Sequence, residues 1–373
     1  MSRKIRIGVV GCGCISGIYL HNMTRLFKEI EVAGVCDLIR ERAEKQAAAY
    51  GIKRIYKDMY EMYADPSVDL ILNITRPYQH YEVTKAALEA GKHVFSEKPL
   101  GASFEEGLAL VKLAEEKGLM LGGAPDTFMG AGIQTCRRLI DDGYIGRPVA
   151  VSAFFLGHGP ENWHPDPDFF YQRGGGPMFD MGPYYATTLI NLLGGVKSVS
   201  AVCGKAFDNR MATCKEHFGE NIEVNISTHY SGTLLFESGV IATMAASFDV
   251  YSHTHPHIEI YGTEGTLSVP DPNTFGGSPR LWRPEDKAWR DLPLLYPYPE
   301  NARGLGITDM AKTIAEGGES VRRCRATYRQ TLHVLEILCA FQKSSDTGAA
   351  YQMTTKYERE RPMKAEYAYG ILD

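Results

Sequence analysis

The chain has 373 residues, 44% of them hydrophobic, and a formal net charge of −5 at pH 7. That length suits two domains with sizeable cores, and the lack of a basic run argues against nucleic acid or an anionic membrane as partner. Eight cysteines occur without a Cys-x-x-Cys spacing, so we expect reduced thiols in a cytoplasmic protein. The N-terminal apolar run is too short for a signal peptide, and no segment reaches the length of a membrane helix.

The first predicted elements are a buried strand at 5–10, a glycine-rich loop and a helix at 18–27. The loop reads Gly-x-Gly-x-x-Ser from Gly11 through Gly13 to Ser16. Gly11 suits a tight turn, Gly13 lets backbone N–H groups approach a pyrophosphate, and a small residue at 16 lets the helix pack on the strand. An anion at this position would lie at a helix N-terminus, which favours negative charge.

The second predicted strand, at 31–36, ends at Asp37. Asp37 follows Gly13 by about 20 residues, the spacing of an acid that binds the adenosine ribose hydroxyls. A carboxylate there repels a 2′-phosphate and so favours NAD over NADP, although Arg40 or Arg42 would offset part of that repulsion. Asp37 is also a candidate N-cap for a helix at 40–50, and one carboxylate can serve both roles.

Strands and helices continue to alternate through the first third of the chain. The further predicted elements are a strand at 68–74, a turn at 75–77, a helix at 79–90 and a strand at 93–95, with a helix after it. This alternation predicts a parallel, doubly wound sheet of the Rossmann type. We place this domain at residues 1–124 and a second domain at 125–373.

The stretch that follows the strand at 93–95 contains Glu97, Lys98 and Pro99. Pro99 cannot donate a hydrogen bond to a sheet and favours an extended conformation at Lys98. Glu97 and Lys98 are therefore expected at the carboxyl end of a strand, where ligands bind in an open parallel sheet. The alternative is a strand end with two solvated charges.

Taken together, these segments resemble the Gfo/Idh/MocA oxidoreductase family. The resemblance rests on Gly-Cys-Gly-x-Ile at 11–15, on Asp37, on the segment 75–80, on Ala-Leu-Glu-Ala-Gly-Lys-His-Val at 87–94, and on Glu97-Lys98-Pro99. At 75–80 the family often reads Thr-Pro-Asn-x-x-His, whereas this chain reads Thr-Arg-Pro-Tyr-Gln-His. The resemblance implies a nicotinamide cofactor with Glu97 and Lys98 at its reactive end. The implied cofactor-binding residues are Gly11, Gly13, Cys14, Ile15, Asp37, Thr75, His80, Glu97 and Lys98.

The second domain is predicted as α+β with a large, mostly antiparallel sheet. Its predicted elements are a helix at 132–141, strands at 149–155, 225–236, 240–248, 257–261 and 266–269, and helices at 306–315 and 327–342. Residues 237–239 read as a hairpin turn. One face of such a sheet packs on helices, and the resemblance implies that the other face is used for oligomerisation. We therefore expect a homodimer or homotetramer.

A long loop at 157–176 mixes aromatic, hydrogen-bonding and proline residues. Long loops without secondary structure are often functional, and aromatic faces with hydrogen-bonding groups suit a sugar. The predicted substrate-binding residues are Trp163, His164, Tyr171, Arg173 and Asp126. The alternative is a proline-stiffened surface loop.

Asp180 and Tyr184 follow this loop and would share a face of one helix. In the family the segment typically reads Asp-x-Gly-x-His, so Asp180 matches the aspartate and Tyr184 replaces the histidine. The resemblance implies a catalytic group of Lys98, Asp180 and Tyr184. Oxidation of a secondary alcohol needs a base, and either Lys98 or Tyr184 can fill that role. Tyr185 is interpreted as a core or cap residue.

Other chemistry-bearing residues are given structural interpretations. His253, His255 and His257 alternate as on a strand, but Pro256 interrupts them and no cysteine or carboxylate pattern accompanies them, so we predict no metal site. Trp282 and Trp289 are assigned to a proline-rich loop as core or lid residues. His333 is expected to be a packing histidine with satisfied hydrogen bonds.

The predicted function is hydride transfer between NAD and a secondary hydroxyl of a sugar, glycoside or cyclic polyol. One alternative is an NAD-dependent enzyme that cleaves glycosides or epimerises sugars through a transient keto-sugar, with no net redox change. A second alternative is a non-catalytic NAD-binding sensor. The expected partner is a small carbohydrate or polyol.

Overall fold

A computed structural model describes residues 3–319 and 323–372, and its contacts group the chain into two compact units. The first contains Met1–Ala131, Leu295–Leu332 and Glu360–Asp373, and the second contains Gly132–Leu294 and His333–Arg359. Two late segments, Leu295–Leu332 and Glu360–Asp373, thus belong to the first unit. A single division at residue 124 would assign them to the second. The division into 1–124 and 125–373 stays a prediction.

The predicted helices and strands are present, with ends that differ by a few residues. The structure also contains elements that were not predicted, among them a nine-residue strand at Val196–Gly204. In chain order the helices are α1 (Ser16–Arg25), α2 (Arg40–Tyr50), α3 (Met59–Ala64), α4 (His80–Glu89), α5 (Phe104–Glu116), α6 (Ala131–Asp141), α7 (Gly176–Asp180), α8 (Gly182–Leu193), α9 (Leu305–Ala315) and α10 (Tyr328–Thr347). The strands are β1 (Ile5–Val10), β2 (Ile30–Cys36), β3 (Leu70–Asn73), β4 (His93–Ser96), β5 (Leu121–Gly123), β6 (Pro148–Leu156), β7 (Val196–Gly204), β8 (Asn209–Met211), β9 (Asn221–Glu223), β10 (His229–Phe236), β11 (Ile241–Ser247), β12 (Ile258–Gly262), β13 (Thr266–Val269), β14 (Arg280–Trp282), β15 (Trp289–Asp291) and β16 (Tyr351–Gln352).

The first unit is built on a parallel sheet with the strand order β2-β1-β3-β4-β5. Its strands are apolar runs that helices bury on both faces, as a parallel sheet requires. The strand order reverses beside β1, so the loops after β1 and β3 border the crevice in which such sheets bind ligands. The Rossmann prediction is confirmed.

The second unit contains a nine-stranded sheet with the order β15-β14-β13-β12-β6-β11-β10-β7-β16. Its neighbours pair antiparallel except for β6 and β11, which are parallel, so the prediction of a mostly antiparallel sheet is confirmed. Gly239, with φ of 86°, forms the predicted hairpin turn between β10 and β11. The strands β8 and β9 form a separate hairpin.

Two placements in the second unit were wrong. Trp282 and Trp289 lie in β14 and β15, where they pair across the two strands, and not in a loop. His253 and His255 lie in an irregular segment before β12 and not on a strand. That segment contains Pro256, which cannot donate to a ladder, and this accounts for its irregular backbone.

Among the residues that the structure describes, no helix is both long and apolar enough to cross a membrane.

Candidate functional site

The glycine loop after β1 has the backbone that a dinucleotide site needs. Gly11 has φ of 101°, and a Cβ atom there would lie 2.7 Å from the carbonyl oxygen of Ile74 in the loop after β3. A Cβ atom on Gly13 would meet no protein atom within 4 Å, so this side of the loop is open to an approaching phosphate. The side chains of Cys14 and Ile15 are exposed on the same loop. Helix α1 begins directly after it, and its free N–H groups favour an anion.

Asp37, at the end of β2, is hydrogen-bonded to this loop. Its Oδ2 accepts from the backbone N–H of Cys12 at 2.7 Å, and its Oδ1 accepts from the N–H of Ile39 at 2.7 Å. A carboxylate has about four lone-pair sites, so Asp37 keeps acceptors for ribose hydroxyls. The expectation that Asp37 caps α2 is wrong, because the N-cap is Ile39 and no side chain caps it.

The loop after β3 is organised by Asn73 and His80. The Oδ1 of Asn73 accepts from the backbone N–H of Thr75 at 3.2 Å and from its hydroxyl at 2.7 Å. Thr75 is half-buried, whereas His80 is buried. The ring of His80 contacts the carbonyl oxygens of Pro99 at 2.6 Å and Thr75 at 3.0 Å. His80 therefore links two loops, and its contact with the cofactor stays a prediction.

The turn after β4 holds Glu97 with its carboxylate fixed. Tyr19, a buried residue of α1, donates its hydroxyl to Oε1 of Glu97 at 2.6 Å, and the N–H of Lys98 donates to Oε2 at 2.9 Å. The backbone N–H of Glu97 donates to the carbonyl of Asn73 at 2.7 Å. Burial and the Glu97 charge raise the pKa of Tyr19 well above its ordinary value, so its hydroxyl keeps its proton. Lys98 is half-buried in this turn.

Sequence reasoning missed Tyr19. The only signal was its place on the buried face of the helix after the glycine loop, and that position by itself predicts no more than core packing.

Asp126 is buried and caps a helix, which argues against direct contact with a substrate, and its assignment to substrate binding stays a prediction. It is 1% exposed, and its Oδ2 accepts from the backbone N–H groups of Gly304 at 2.9 Å and Gly306 at 3.0 Å. These groups lie at the N-terminus of α9, where a carboxylate satisfies free donors. Burial is the main cause that raises the pKa of Asp126 to about 6.

In the second unit, Asp180 and Tyr184 lie on successive helices and not on one helix face, which corrects the expectation. Helix α7 ends at Asp180, Met181 separates the two helices, and α8 begins at Gly182. Asp180 is half-buried and Tyr184 is buried, with 7% of its surface exposed. The hydroxyl of Tyr185 is hydrogen-bonded to Nδ1 of His257 at 2.8 Å, and its ring is buried, which confirms its assignment to the core.

The loop at 157–176 divides into exposed and buried residues. Trp163 is 65% exposed, with its ring edge-on to that of His164 at 5.4 Å. Arg173 is exposed. Tyr171 is fully buried in a cluster that includes Phe248, which argues against direct contact with a substrate. The assignment of this loop's Trp163, His164, Tyr171 and Arg173 to substrate binding stays a prediction.

A buried arginine that sequence reasoning missed anchors this loop. Arg210, in β8, forms ion pairs with Glu161 at 3.0 Å and Asp249 at 2.5 Å. It also donates to the carbonyl oxygens of Phe248 at 2.6 Å and His158 at 3.1 Å. The loop is thus bound to the hairpin β8–β9 and to the segment after β11.

The remaining histidines have structural environments. The ring of His255 stacks on Phe154 with a centroid distance of 4.5 Å. His333 accepts from the N–H of Val196 at 2.9 Å and is buried, which confirms it as a packing histidine, and burial lowers its pKa to about 4. Across residues 3–319 and 323–372, no group of three or more His, Cys, Asp or Glu side chains is placed to hold a metal ion.

Comparison with known proteins identifies the two parts of the chain. A family model described as "Oxidoreductase family, NAD-binding Rossmann fold" matches residues 5–123, and one described as "GFO/IDH/MocA C-terminal domain" matches residues 133–268. The chain is 29% identical over 265 residues to 1,5-anhydro-D-fructose reductase of Ensifer adhaerens, covering 70% of this chain and 74% of that protein. It is 28% identical over 271 residues to scyllo-inositol 2-dehydrogenase (NAD(+)) of Bacillus subtilis, covering 72% and 75%.

Solved structures share the fold. Levoglucosan dehydrogenase in complex with NADH and levoglucosan superposes with a TM-score of 0.78 at 21% identity, covering 95% of this chain and 100% of that one. Aldose-aldose oxidoreductase from Caulobacter crescentus gives a TM-score of 0.78 at 20% identity, covering 94% and 100%. The two family models cover most of the chain, and the glycine loop, Asp37 and the Glu97–Lys98 turn have the geometry of a dinucleotide site. The chain is a member of the Gfo/Idh/MocA family of NAD-binding oxidoreductases, a dehydrogenase that acts on CH–OH groups.

Proposed function

We propose that this enzyme transfers a hydride between NAD and a secondary hydroxyl of a sugar, glycoside or cyclic polyol. The observation that carries the proposal is the hydrogen bond from Tyr19 to Glu97. It ties the helix that follows the glycine loop to the turn that carries Lys98. An acid–base group is thereby fixed in the part of the sheet where the cofactor binds.

The residues of the first unit fit a bound dinucleotide. The open side of Gly13 and the N-terminus of α1 suit the pyrophosphate, and Asp37 suits the adenosine ribose. NAD, when bound, supplies the hydride acceptor. The two side chains directly after Asp37 are uncharged, with Leu38 91% exposed, and Arg40 forms an exposed ion pair with Glu44 at 2.9 Å. The charge of Asp37 and the apolar residues directly after it support NAD as the preferred cofactor.

The acid–base roles follow from what the reaction requires. As the carbinol carbon loses a hydride, its hydroxyl loses a proton, and the reverse reaction returns both. We assign this proton to Lys98 or Tyr184, with Asp180 as the third residue of the catalytic group. A phenol has an unperturbed pKa near ~10, so Tyr184 acts as the base only beside a cation.

The substrate class rests on the curated relatives and on the loop at 157–176. Two of those relatives are named for an anhydro-sugar and an inositol, both of which carry secondary hydroxyls. Trp163 offers an exposed aromatic face, and His164 and Arg173 offer polar groups in the same loop. This combination suits the C–H face and the hydroxyls of a ring.

The test is a screen of sugars, glycosides and inositols for NADH formation by the purified enzyme, with NADP in parallel. The proposal expects NADH from at least one cyclic polyhydroxy substrate, and a lower rate with NADP. Release of a leaving group or an epimer without NADH would instead support keto-sugar chemistry. Failure of every substrate, with NAD still bound, would favour a sensor.

A further inference from the structure

His80 has an unusual pair of hydrogen-bond partners for a buried histidine. Its Nδ1 lies 2.6 Å from the carbonyl oxygen of Pro99, and its Nε2 lies 3.0 Å from the carbonyl oxygen of Thr75. A carbonyl oxygen only accepts hydrogen bonds. Both ring nitrogens must therefore carry a proton if both contacts are hydrogen bonds.

Two other buried or half-buried histidines provide a comparison within the same chain. Nδ1 of His93 accepts from the backbone N–H of Met120 at 2.9 Å, and Nε2 of His333 accepts from the N–H of Val196 at 2.9 Å. Each of these rings must keep one nitrogen unprotonated, so each is neutral. His80 differs because neither of its nitrogens faces a donor.

The alternatives for His80 are unfavourable. A neutral ring would place a lone pair against a carbonyl oxygen at 2.6 or 3.0 Å. A ring turned by 180° would place carbon atoms at the same short distances, whereas C–H···O contacts have C···O distances of about 3.3–3.6 Å. The 2.6 Å contact is also shorter than the usual N–H···O distance of about 2.9 Å, as expected of a charged donor.

The surroundings of His80 contain some groups that favour a positive charge on its ring and others that oppose it. Burial is the largest influence and holds the pKa of His80 below its ordinary value, although the carbonyls of Pro99 and Thr75 and the carboxylate of Glu97 act to raise it. Lys98 also lowers it. Asn73 and Thr84, which are also close by, are uncharged. The geometry favours the cation against the effect of burial, because each ring nitrogen faces a carbonyl oxygen and neither lone pair has a donor.

We propose that His80 is a buried imidazolium and a positioning residue for Lys98. Its two N–H groups join the loop after β3, through Thr75, to the turn after β4, through Pro99. Tyr19 and Asn73 hold Glu97 on one side of Lys98, and His80 holds Pro99 on the other. The backbone of the turn after β4 is thus fixed on both sides of Lys98. This role rests on the proposed function, whereas the protonation state does not.

The protonation state is measured by NMR of the full-length enzyme labelled with ¹⁵N-histidine, at pH 7. The signals that vanish in the His80→Gln variant identify His80. We expect two protonated ring nitrogens for His80, and one protonated with one unprotonated nitrogen for His93 and His333. An unprotonated ring nitrogen in His80 would overturn the proposal, whether or not the enzyme oxidises any sugar.

The positioning role is measured by the pH profile of kcat/KM with a substrate found by the screen. His80→Gln keeps one donor and loses the charge, so we expect kcat to fall on the order of 10-fold. The acid limb should move to higher pH, because the positive charge that opposes protonation of Lys98 is gone. His333→Gln is the matched control. It should lower the free energy of unfolding and leave the acid limb of the kcat/KM profile at the same pH. A folded His80→Gln enzyme with an unchanged acid limb and rate would overturn the positioning role.

Discussion

The carboxylate of Asp37 serves the fold and the ligand site together. Each of its oxygens already accepts one backbone N–H, from Cys12 and from Ile39. The remaining lone pairs are those that ribose hydroxyls need, and the negative charge discriminates against a 2′-phosphate. Cofactor choice and loop geometry are therefore linked in one side chain.

Replacement of Asp37 should relax the preference for NAD. Asp37→Ala removes the charge and both acceptors, and Asp37→Asn keeps a carbonyl acceptor without the charge. If repulsion sets the preference, the ratio of kcat/KM for NAD to that for NADP should fall in both variants by about tenfold, roughly 1.4 kcal/mol. A wild-type enzyme that already prefers NADP by tenfold would contradict this assignment.

Tyr184 and Tyr185 form a matched pair of neighbouring buried tyrosines. Tyr184→Phe removes a hydroxyl without opening a cavity, and it should lower kcat by on the order of 10² if that hydroxyl carries the proton. Tyr185→Phe removes the hydroxyl that is bonded to His257 and should alter stability with little effect on the pH profile. Tyr184→His should keep part of the activity, because histidine is usual there in the family. If Tyr184→Phe and the wild type have the same kcat and the same pH profile of kcat, Tyr184 is a packing residue and Lys98 carries the proton.

Residue roles were predictable where the signal is local. Gly11, Gly13 and Asp37 follow from spacing around one strand–loop–helix unit. The capping role of Asp126 was missed because the groups that it caps, at Gly304 and Gly306, lie 178 and 180 residues away. The burial of Tyr171 was missed for the same kind of reason, since it depends on Phe248 and the hairpin β8–β9.

At the scale of elements, Arg210 joins the loop at 157–176 to two other segments. Glu161 and Asp249 are almost completely buried beside it. Buried carboxylates without a partner are strongly unfavourable, so this arginine determines whether the loop keeps its shape.

Arg210→Ala should lower the free energy of unfolding by about 3–5 kcal/mol, because it leaves two buried carboxylates uncompensated. Arg280→Ala is the control, since its ion pair with Asp291 is exposed at the surface and should change stability by less than about 0.5 kcal/mol. Urea denaturation of both variants measures the difference. A loss below about 1 kcal/mol for Arg210→Ala would show that the loop is held by other contacts.

Most elements with a strong periodic signal were predicted, but the nine-residue strand β7 and several short strands were not. The apolar strands β1–β4 and the hairpin β10–β11 stand out in the sequence. Strands β14 and β15 have three residues each, rich in Arg and Trp, and so few residues give no period to detect. The break between α7 and α8 at Met181 was missed although Gly182 and Pro183 follow it directly, and a proline in the first turn is a signal for the start of a helix.

At the scale of the whole molecule, the nine-stranded sheet has an unequal pair of faces. Alternate residues of β11 are buried at Ala242 and Met244, whereas Ile241 is 53% exposed. Val202, on β7, is 74% exposed. Exposed apolar side chains on a broad sheet are a typical interface for a second copy of the chain.

We therefore predict a homodimer or homotetramer, to be checked by light scattering at micromolar concentration. Ile241→Glu should shift the protein towards the monomer, because it places a charge in an apolar contact. Phe218→Glu is the control, since Phe218 is also exposed but lies outside this sheet, between β8 and β9. A monomeric wild-type protein would remove the prediction.

In the proposed mechanism, Lys98 serves the chemical step while the glycine loop and Asp37 hold the cofactor. The direct measurement is NADH formation by Lys98→Ala beside its affinity for NAD by calorimetry. We predict that turnover falls by on the order of 10² to 10⁴ while NAD affinity stays close to that of the wild type, since the pyrophosphate and ribose contacts lie elsewhere. Turnover at the wild-type rate in Lys98→Ala would contradict the account.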